Sequence, residues 1–532
     1  MADDNHENHS HSLVSSNAAS HRDPTVRWFW LFAIGHLILW FLVPTLTQPN
    51  APLDTLEMLY WGHEWQWGYF KHPPLPAWIA EASCQLFGRA VWPTYLAAQI
   101  CVVTCFWAVW KLAREILRPW HALCAAFVLE ASYYYNYTTP ELNNNVVSRT
   151  FWALTILFFH RALSRGKNGW WLLTGISVGL GLLSRYDTFV LIAIMLGFAI
   201  LHPVARKCWR TAGPYLGLTA GLILVAPHLH WLVTNDFPTV RYFQNRSSGN
   251  EGWERHLINP SMFFLTQMGA ILPAVLLSAP LISNWRLRKL AKNERFHSDF
   301  LLCMALGPFL FILAASATLG FGLKSMWGTA LWSYTGALLL YIVPLREDAL
   351  PSKRVLSLSV ATTLVFAVGL TLRNTALPFV RHEGSRIHFS GDQLADQVQE
   401  RWDQVSDEPL ECIGGFPWLA SNVAFYSDDR ASVYTGLDQN KSPWLSDEEF
   451  EQNGGVVLWR ESPYEDELLR KLHERFPQAI YEAPIMVHWQ SDAQIEDVEV
   501  RIAIIPPDAD EEEKDVVRTA SATASDDSAT VR

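Results

Sequence analysis

Apolar residues come in runs of about 20, the length that crosses a lipid bilayer as a single helix. Such runs recur at 28–46, 91–110, 119–136, 146–163, 169–184, 186–201, 211–232, 261–283, 299–320, 327–344 and 355–372. They predict about eleven spans, hence a polytopic α-helical membrane protein. Beyond residue 372 the pattern breaks into short mixed segments. CIGGFPWLASNVAFYSDD, ASVYTG, GGVVLWR and VEVRIAIIP carry strand signals, with helical pieces such as DELLRKLHERF between them. That alternation predicts a small α/β domain over 373–507. The stretch 1–27 opens polar and rich in His, Asn and Ser, and no small-residue cleavage site follows the first apolar run. It reads as a retained, disordered cytoplasmic tail. His6, His9, His11 and His21 fall in that tail and read as solvated polar residues rather than metal ligands. Residues 508–532 continue PPDADEEEKD and read as a disordered acidic tail.

Charge sharpens this division. Over 532 residues the chain is 50% hydrophobic and only 17% charged, against about 25% in soluble proteins. The mean hydropathy of +0.07 averages two unlike parts. From Arg373 onward there are 14 Lys and Arg against 33 Asp and Glu, for −19, while the first 372 residues carry +8. The basic residues of that first part are not scattered. Alternate connections hold Lys111, Arg114 and Arg118; Arg161, Arg165 and Lys167; Arg206, Lys207 and Arg210; Arg286 to Arg295; and Arg346, Lys353 and Arg354. The other connections, longer in total, hold only Lys71, Arg89, Arg185, Arg241, Arg246, Arg255 and Lys324. This positive-inside pattern puts the N-terminus in the cytoplasm and, with an odd number of spans, the C-terminal domain outside. No basic groove remains for nucleic acid. The seven cysteines lie mostly in or beside apolar runs and form neither a disulfide framework nor a CxxC metal knot.

The first outside loop, 47–90, is long and aromatic: PNAPLDTLEMLYWGHEWQWGYFKHPPLPAWIAEASCQLFG begins at Pro49. Leu53, Leu56, Leu59 and Tyr60 fall at helical spacing, and Trp61, Trp65 and Trp67 suit the headgroup level. The loop therefore reads as a helix on the outer membrane surface, broken at His72-Pro73-Pro74 and followed by a second. Acids gather on the same side: Asp54 and Glu57 on one helical face, Glu64 beyond them, Glu141 in the second outside loop and Asp187 in the third. A carboxylate stripped of water among Trp and Leu rises in pKa toward neutrality, which suits a general base; the plainer reading of any one acid is a cap or a solvated face. Lys71 and Arg185 are donors that a lipid phosphate needs, and equally suit snorkelling to headgroups. YYYNYTTPELNNNVVSR sets Asn136, Glu141, Asn143, Asn144 and Asn145 among tyrosines, as a hydroxyl-rich sugar requires, or as a turn and helix cap. His63 and His72 could join a carboxylate at a structural divalent metal; ordinary polar histidines are the favoured reading.

The constellation says more than its members. An apolar span, an early Asp and Glu, GYFKHPPLPAW, Pro140-Glu141 and then LLSRYD together resemble the C-type (GT-C) membrane glycosyltransferases of the protein O-mannosyltransferase and aminoarabinose transferase superfamily. The resemblance covers 28–372 and is strongest to bacterial family 39-like members with a KHPPL loop. Some of these decorate lipopolysaccharide core or lipid A. It implies a polyprenyl-phosphate sugar as donor, an acceptor glycolipid or glycan on the outer face of the cytoplasmic membrane, and no required cofactor. It assigns base chemistry to Asp54, with Glu57 and Glu141 as companions, and donor-phosphate binding to Lys71 and Arg185. His72, Asn143, Tyr186 and Asp187 become substrate-binding candidates. The chain departs from many relatives in reading Asp-Thr-Leu-Glu where they have adjacent acids, in having Glu141 where they commonly have Asp, and in placing His72 between Lys71 and Pro73. A transporter or flippase of lipid-linked saccharide, a non-catalytic glycan-binding scaffold and a protein O-glycosyltransferase are the rival readings.

Overall fold

The computed structural model describes residues 23–247, 252–291, 294–463, 465–491 and 493–508. Of the tails expected at 1–27 and 508–532, residues 1–22 and 509–532 lie outside the described residues, and residues 24–27 are already helix. The helical part runs α1 (Pro24–Thr47), α2 (Leu53–His63), α3 (Leu75–Phe87), α4 (Trp92–Ile116), α5 (Pro119–Phe127), α6 (Asn144–Arg165) and α7 (Asn168–Ser184). It continues with α8 (Thr188–Leu201), α9 (Gly213–Thr234), α10 (Pro238–Ser247), α11 (Arg255–Leu277), α12 (Arg295–Leu319), α13 (Thr335–Ile342) and α14 (Ala349–Thr375). The first helix starts earlier than hydrophobicity alone suggests, because the Asp23 side chain caps it and Pro24 occupies its first position.

Every apolar run coincides with helix, yet the helices are unequal. Among the described residues six helices could cross a membrane by length and composition: α1, α4, α9, α11, α12 and α14; α8 is apolar but shorter. The run 119–136 is broken after Phe127 into short 3-10 turns around Glu130, and the run 327–344 keeps only the eight residues of α13 as α-helix. Eight residues rise about 12 Å, well short of a bilayer.

Small residues set the closest packing. Gly213, Gly217 and Gly221 line one stripe of α9 against α7, and a Cβ on Gly175 would fall 1.9 Å from the Gly217 carbonyl oxygen. Only backbones without side chains approach so closely, the mode that replaces hydrophobic driving force between helices in lipid. Buried polar groups fasten other helices: His36 Nδ1 of α1 lies 2.7 Å from Glu130, whose other oxygen accepts from Thr363 of α14 at 3.0 Å.

After α15 (Leu377–Arg381) come α16 (Gly391–Trp402), β1 (Cys412–Gly415), α17 (Pro417–Tyr426), β2 (Ser432–Thr435), α18 (Asp447–Gln452) and β3 (Gly455–Trp459). Then follow α19 (Glu465–Arg475), β4 (Ile480–Tyr481), β5 (Ile485–Val487) and β6 (Val498–Ile505). The sheet order is β2-β1-β3-β6-β4, with β5 also on β6; β1, β2 and β3 are parallel and β6 is antiparallel to β3. One expected strand is corrected. FPWLASNVAFY is mostly α17, because Gly415 at φ +105 turns the chain out of β1 and Pro417 starts a helix.

The α/β part packs against the first long loop. Fully buried Asn50 receives the Tyr426 hydroxyl at 2.8 Å, donates from Nδ2 to Asn422 at 2.9 Å and to the Arg386 carbonyl at 3.1 Å, and donates its backbone N–H to the Ile387 carbonyl. Helix α2 is accordingly covered rather than lying free on a membrane surface. Trp61, expected at headgroup level, is fully buried and stacks on Tyr69 at 5.1 Å; Trp65 and Trp67 do stay exposed.

Candidate active site

Helix α2 begins after Pro52, and its first backbone N–H groups have no partner inside the helix. The second sequence cluster supplies one. Asp54 N–H donates to Glu141 Oε1 at 3.2 Å, and the Thr55 hydroxyl donates to the Leu142 carbonyl at 3.3 Å. The loop Pro140-Glu141-Leu142 is thereby fastened to the first turn of α2, and two carboxyl groups 87 residues apart in sequence become neighbours.

One turn further, Glu57 forms an ion pair with Lys71. The chain makes that approach by closing α2 onto α3, where Gly62 lies against the Ala77 carbonyl, and by pressing Gly68 against the Trp231 ring. The Lys71 ammonium stands 5.2 Å from the Phe70 ring and 5.9 Å from those of Trp61 and Tyr242. Aromatic faces attract a cation held this way.

The electrostatics follow from burial. Loss of water pushes the Asp54 carboxyl up despite Lys71, Arg386 and Arg246, and pushes Glu57 up despite Lys71. Glu141 is pushed up to about 8 by burial and by the Asp54 charge beside it. Burial pulls Lys71 down, but Glu57 more than offsets this and leaves it above its ordinary value. His72 falls to about 3 through burial and the Arg185 and Lys71 charges, so it is neutral at physiological pH. Its Nδ1 faces the Asn144 amide at 3.4 Å. The site thus holds carboxyls that burial pushes toward the protonated form next to a fixed cation.

The third cluster completes the rim. Arg185 Nη1 donates to Asn145 Oδ1 at 2.5 Å and lies 3.5 Å from Asp187, which accepts from the Ser148 hydroxyl at 3.2 Å. The Tyr186 hydroxyl meets His228 Nε2 at 2.8 Å and Thr239 at 3.1 Å, while His228 Nδ1 donates to the Trp67 carbonyl at 2.6 Å. This chain of bonds ties the first loop to α9 and α10. The Asn143 side-chain oxygen accepts from the N–H groups of Asn145 and Val146 and caps α6. His63 and His72 do not converge. His63 feels Arg430 and Glu81, His72 faces Asn144, and among the described residues no group of three His, Cys, Asp or Glu could hold a metal ion.

A family model described as dolichyl-phosphate-mannose-protein mannosyltransferase matches residues 71–231, beginning at the lysine of this site. The crystal structure of ArnT from Cupriavidus metallidurans bound to undecaprenyl phosphate superposes with a TM-score of 0.61 at 14% identity, covering 90% of this chain and 98% of that one. The chain therefore shares the fold of that ArnT structure. The lipopolysaccharide core galacturonosyltransferase RgtB of Rhizobium johnstonii is 26% identical to this chain over 238 residues, 42% of this chain and 46% of RgtB. The lipid A galacturonosyltransferase RgtD of the same organism is 20% identical over 275 residues, 50% of this chain and 55% of RgtD. The chain spans about half the length of these curated relatives.

Glu81, Arg430, Tyr242, Arg246 and Arg386, to which the sequence assigned no site role, also bear on this region, as does Glu64. Fully buried Glu81 of α3 is held by both terminal nitrogens of Arg430, at 3.0 and 2.7 Å, from the turn before β2. Glu64 is pushed up to about 7 by burial, against the pull of Ser432 and Arg430. Arg246 and Arg386 bear on Asp54 from α10 and from the segment after α15. Tyr242 and Arg246 are four apart on a short polar helix between two apolar runs, which is the one local signal that could have found them.

Proposed function

We propose that this chain is a glycosyltransferase that moves a sugar from a polyprenyl-phosphate donor to a hydroxyl of lipopolysaccharide core or lipid A. The site opens on the outer face of a bacterial cytoplasmic membrane, with the N-terminus inside and the 373–507 domain outside. The observation that carries this is the meeting of Asp54 and Glu141 at one end of α2, one helical turn from the Glu57–Lys71 pair. The names of the relatives supply the substrate class: RgtB and RgtD act on lipopolysaccharide core and lipid A, and the ArnT structure holds undecaprenyl phosphate.

The reaction is a single displacement. Asp54 takes the proton of the acceptor hydroxyl as its oxygen forms a bond to the anomeric carbon. The bond from that carbon to the phosphate oxygen breaks, and polyprenyl phosphate leaves with both bonding electrons. The anomeric configuration inverts. Glu141, mostly protonated at pH 7, keeps a second negative charge away from the donor and donates no net repulsion. Lys71 and Arg185 meet the charge growing on the phosphate, so the reaction as proposed uses no metal. Tyr186 and Asp187 position the rim, and neutral His72 offers a hydrogen bond without adding charge.

The test uses the purified chain in neutral-lipid nanodiscs with undecaprenyl-phosphate galacturonate, mannose or aminoarabinose, and lipid A or deacylated core as acceptor. One donor should give an acceptor gaining one sugar mass with inverted linkage. Movement of the donor between leaflets without any transfer would instead establish the transporter reading.

A further inference from the structure

The parallel part of the sheet has its own switch point. From β1 the chain passes to β2 on one side and later to β3 on the other, so the connections diverge at the carboxyl ends of β1 and β3. Ligands of open α/β sheets bind in the crevice outside that point. Here the crevice has a fixed mouth: Phe416 N–H donates to the Leu458 carbonyl at 2.8 Å, and Gly415 at φ +105 lies so close that a Cβ would fall 2.0 Å from the same oxygen.

Trp418 follows directly, and two guanidiniums meet on its ring: Arg386 at 5.7 Å and Arg460, the residue after β3, at 6.0 Å from the ring centre. Both arginines are exposed, and neither forms an ion pair among the described residues. In the same region Arg430, Arg470, Arg475 and Arg501 each hold a carboxylate. The Trp418 indole N–H is buried and likewise has no hydrogen-bond partner.

The carboxyl end of β2 lies toward the acid pair. Helix α2 runs against β2, with the Tyr60 hydroxyl 3.4 Å from Thr435 at the carboxyl end of the strand and Glu64 beside Ser432 at its start. The six residues from Tyr60 back to Asp54 carry the helix about 9 Å beyond that end. Asn50, four residues before Asp54, binds the carbonyls of both Arg386 and Ile387. The Arg386 charge is felt at Asp54 and at Glu141.

We propose that the crevice lined by Trp418, Arg386 and Arg460 binds an anionic group, phosphate or carboxylate, of the acceptor saccharide and so presents its hydroxyl to Asp54. Guanidinium forks match both anions, and the indole face keeps the two forks in place. This assignment rests on the transferase reading above and adds to it the class of acceptor, an acidic saccharide held by the C-terminal domain.

The test measures binding to the full chain in neutral-lipid nanodiscs. The probes are deacylated phosphorylated lipopolysaccharide core oligosaccharide, trigalacturonate and an uncharged galacto-oligosaccharide. For wild type, an anionic probe binds and the uncharged one binds at least tenfold more weakly; whichever anion binds tighter names the group. Arg386→Gln and Arg460→Gln each weaken the anionic probe about tenfold, and Arg460→Gln leaves the uncharged probe and undecaprenyl phosphate binding unchanged. Unchanged anionic binding in both variants overturns the proposal, as does equal loss of the uncharged probe. If wild type binds the anionic saccharide through these arginines but transfers no sugar, the transferase reading fails and the site stands. If it transfers with arginine-indifferent binding, only the site fails.

Discussion

Replacing Arg430 with Gln isolates the contact that seats the C-terminal domain over the first long loop. Glu81 has no exposed surface, and its carboxylate is met by both Arg430 terminal nitrogens and by Gln85 at 2.9 Å. Burial pushes this carboxyl up, but the hydrogen bonds and charge of Arg430 together with Gln85 bring it below its ordinary value. Removing one partner of a buried pair typically costs about 3–5 kcal/mol, because a charge is left without compensation. Protonation limits that cost. Protonating a carboxyl of ordinary pKa 4.5 at pH 7 costs about 3.4 kcal/mol, and at pH 5 only about 0.7 kcal/mol. Arg430→Gln should therefore destabilise the protein by about 3 kcal/mol at pH 7 and by under about 1 kcal/mol at pH 5. The sign agrees with linkage: a carboxyl held below its ordinary pKa stabilises the fold above pH 4.5, and that contribution is lost as pH falls through its folded value. The assay is denaturant unfolding in nanodiscs at both pH values, with Glu81→Gln and the double variant completing the cycle. The double variant should recover most of the loss. Additive losses that do not change with pH would refute the assignment of Arg430 as the counter-charge of Glu81.

Three further outcomes follow from the site and its support. Lys71→Met should lower kcat about 100-fold or more, as removal of one group that stabilises developing negative charge does, read in the nanodisc transfer assay; activity within threefold of wild type would exclude Lys71 from the phosphate site. Glu141 is held up to about 8, so it stabilises the fold while protonated and that contribution is lost as pH rises through 8; thermal unfolding should fall between pH 6 and pH 9 in wild type and fall less in Glu141→Gln. Gly217→Leu should prevent α7 and α9 from packing, seen as loss of monodisperse protein after extraction, whereas Gly197→Leu, which faces open space, should be tolerated.

Much of the site could be read from the sequence because its parts carry local signals. Lys71 precedes two prolines that bar helix, Asp54 stands in the first turn after Pro52, and Pro140-Glu141 interrupts an aromatic loop. The pairings among them were not legible, since a contact across 87 residues, such as Asp54 with Glu141, leaves no periodic trace. The same applies to Arg430 with Glu81, which was invisible because neither residue has an unusual neighbour in sequence. Periodicity found the helices but not their breaks: Glu130 is buried with His36, and nothing in the apolar run around it marks where the helix yields to 3-10 turns. An Asn run before a helix reads equally as sugar ligand and as cap, and in the fold Asn143 caps α6.

The central claim is that Asp54 removes the acceptor proton. The most direct measurement is mass spectrometry of envelope glycolipids from cells lacking this chain, complemented at matched protein levels by wild type or Asp54→Asn. Wild type should restore one sugar mass on lipopolysaccharide core or lipid A, and Asp54→Asn, having lost a general base worth about 10²–10⁴ in rate, should not. Full restoration of the product by Asp54→Asn would contradict the account.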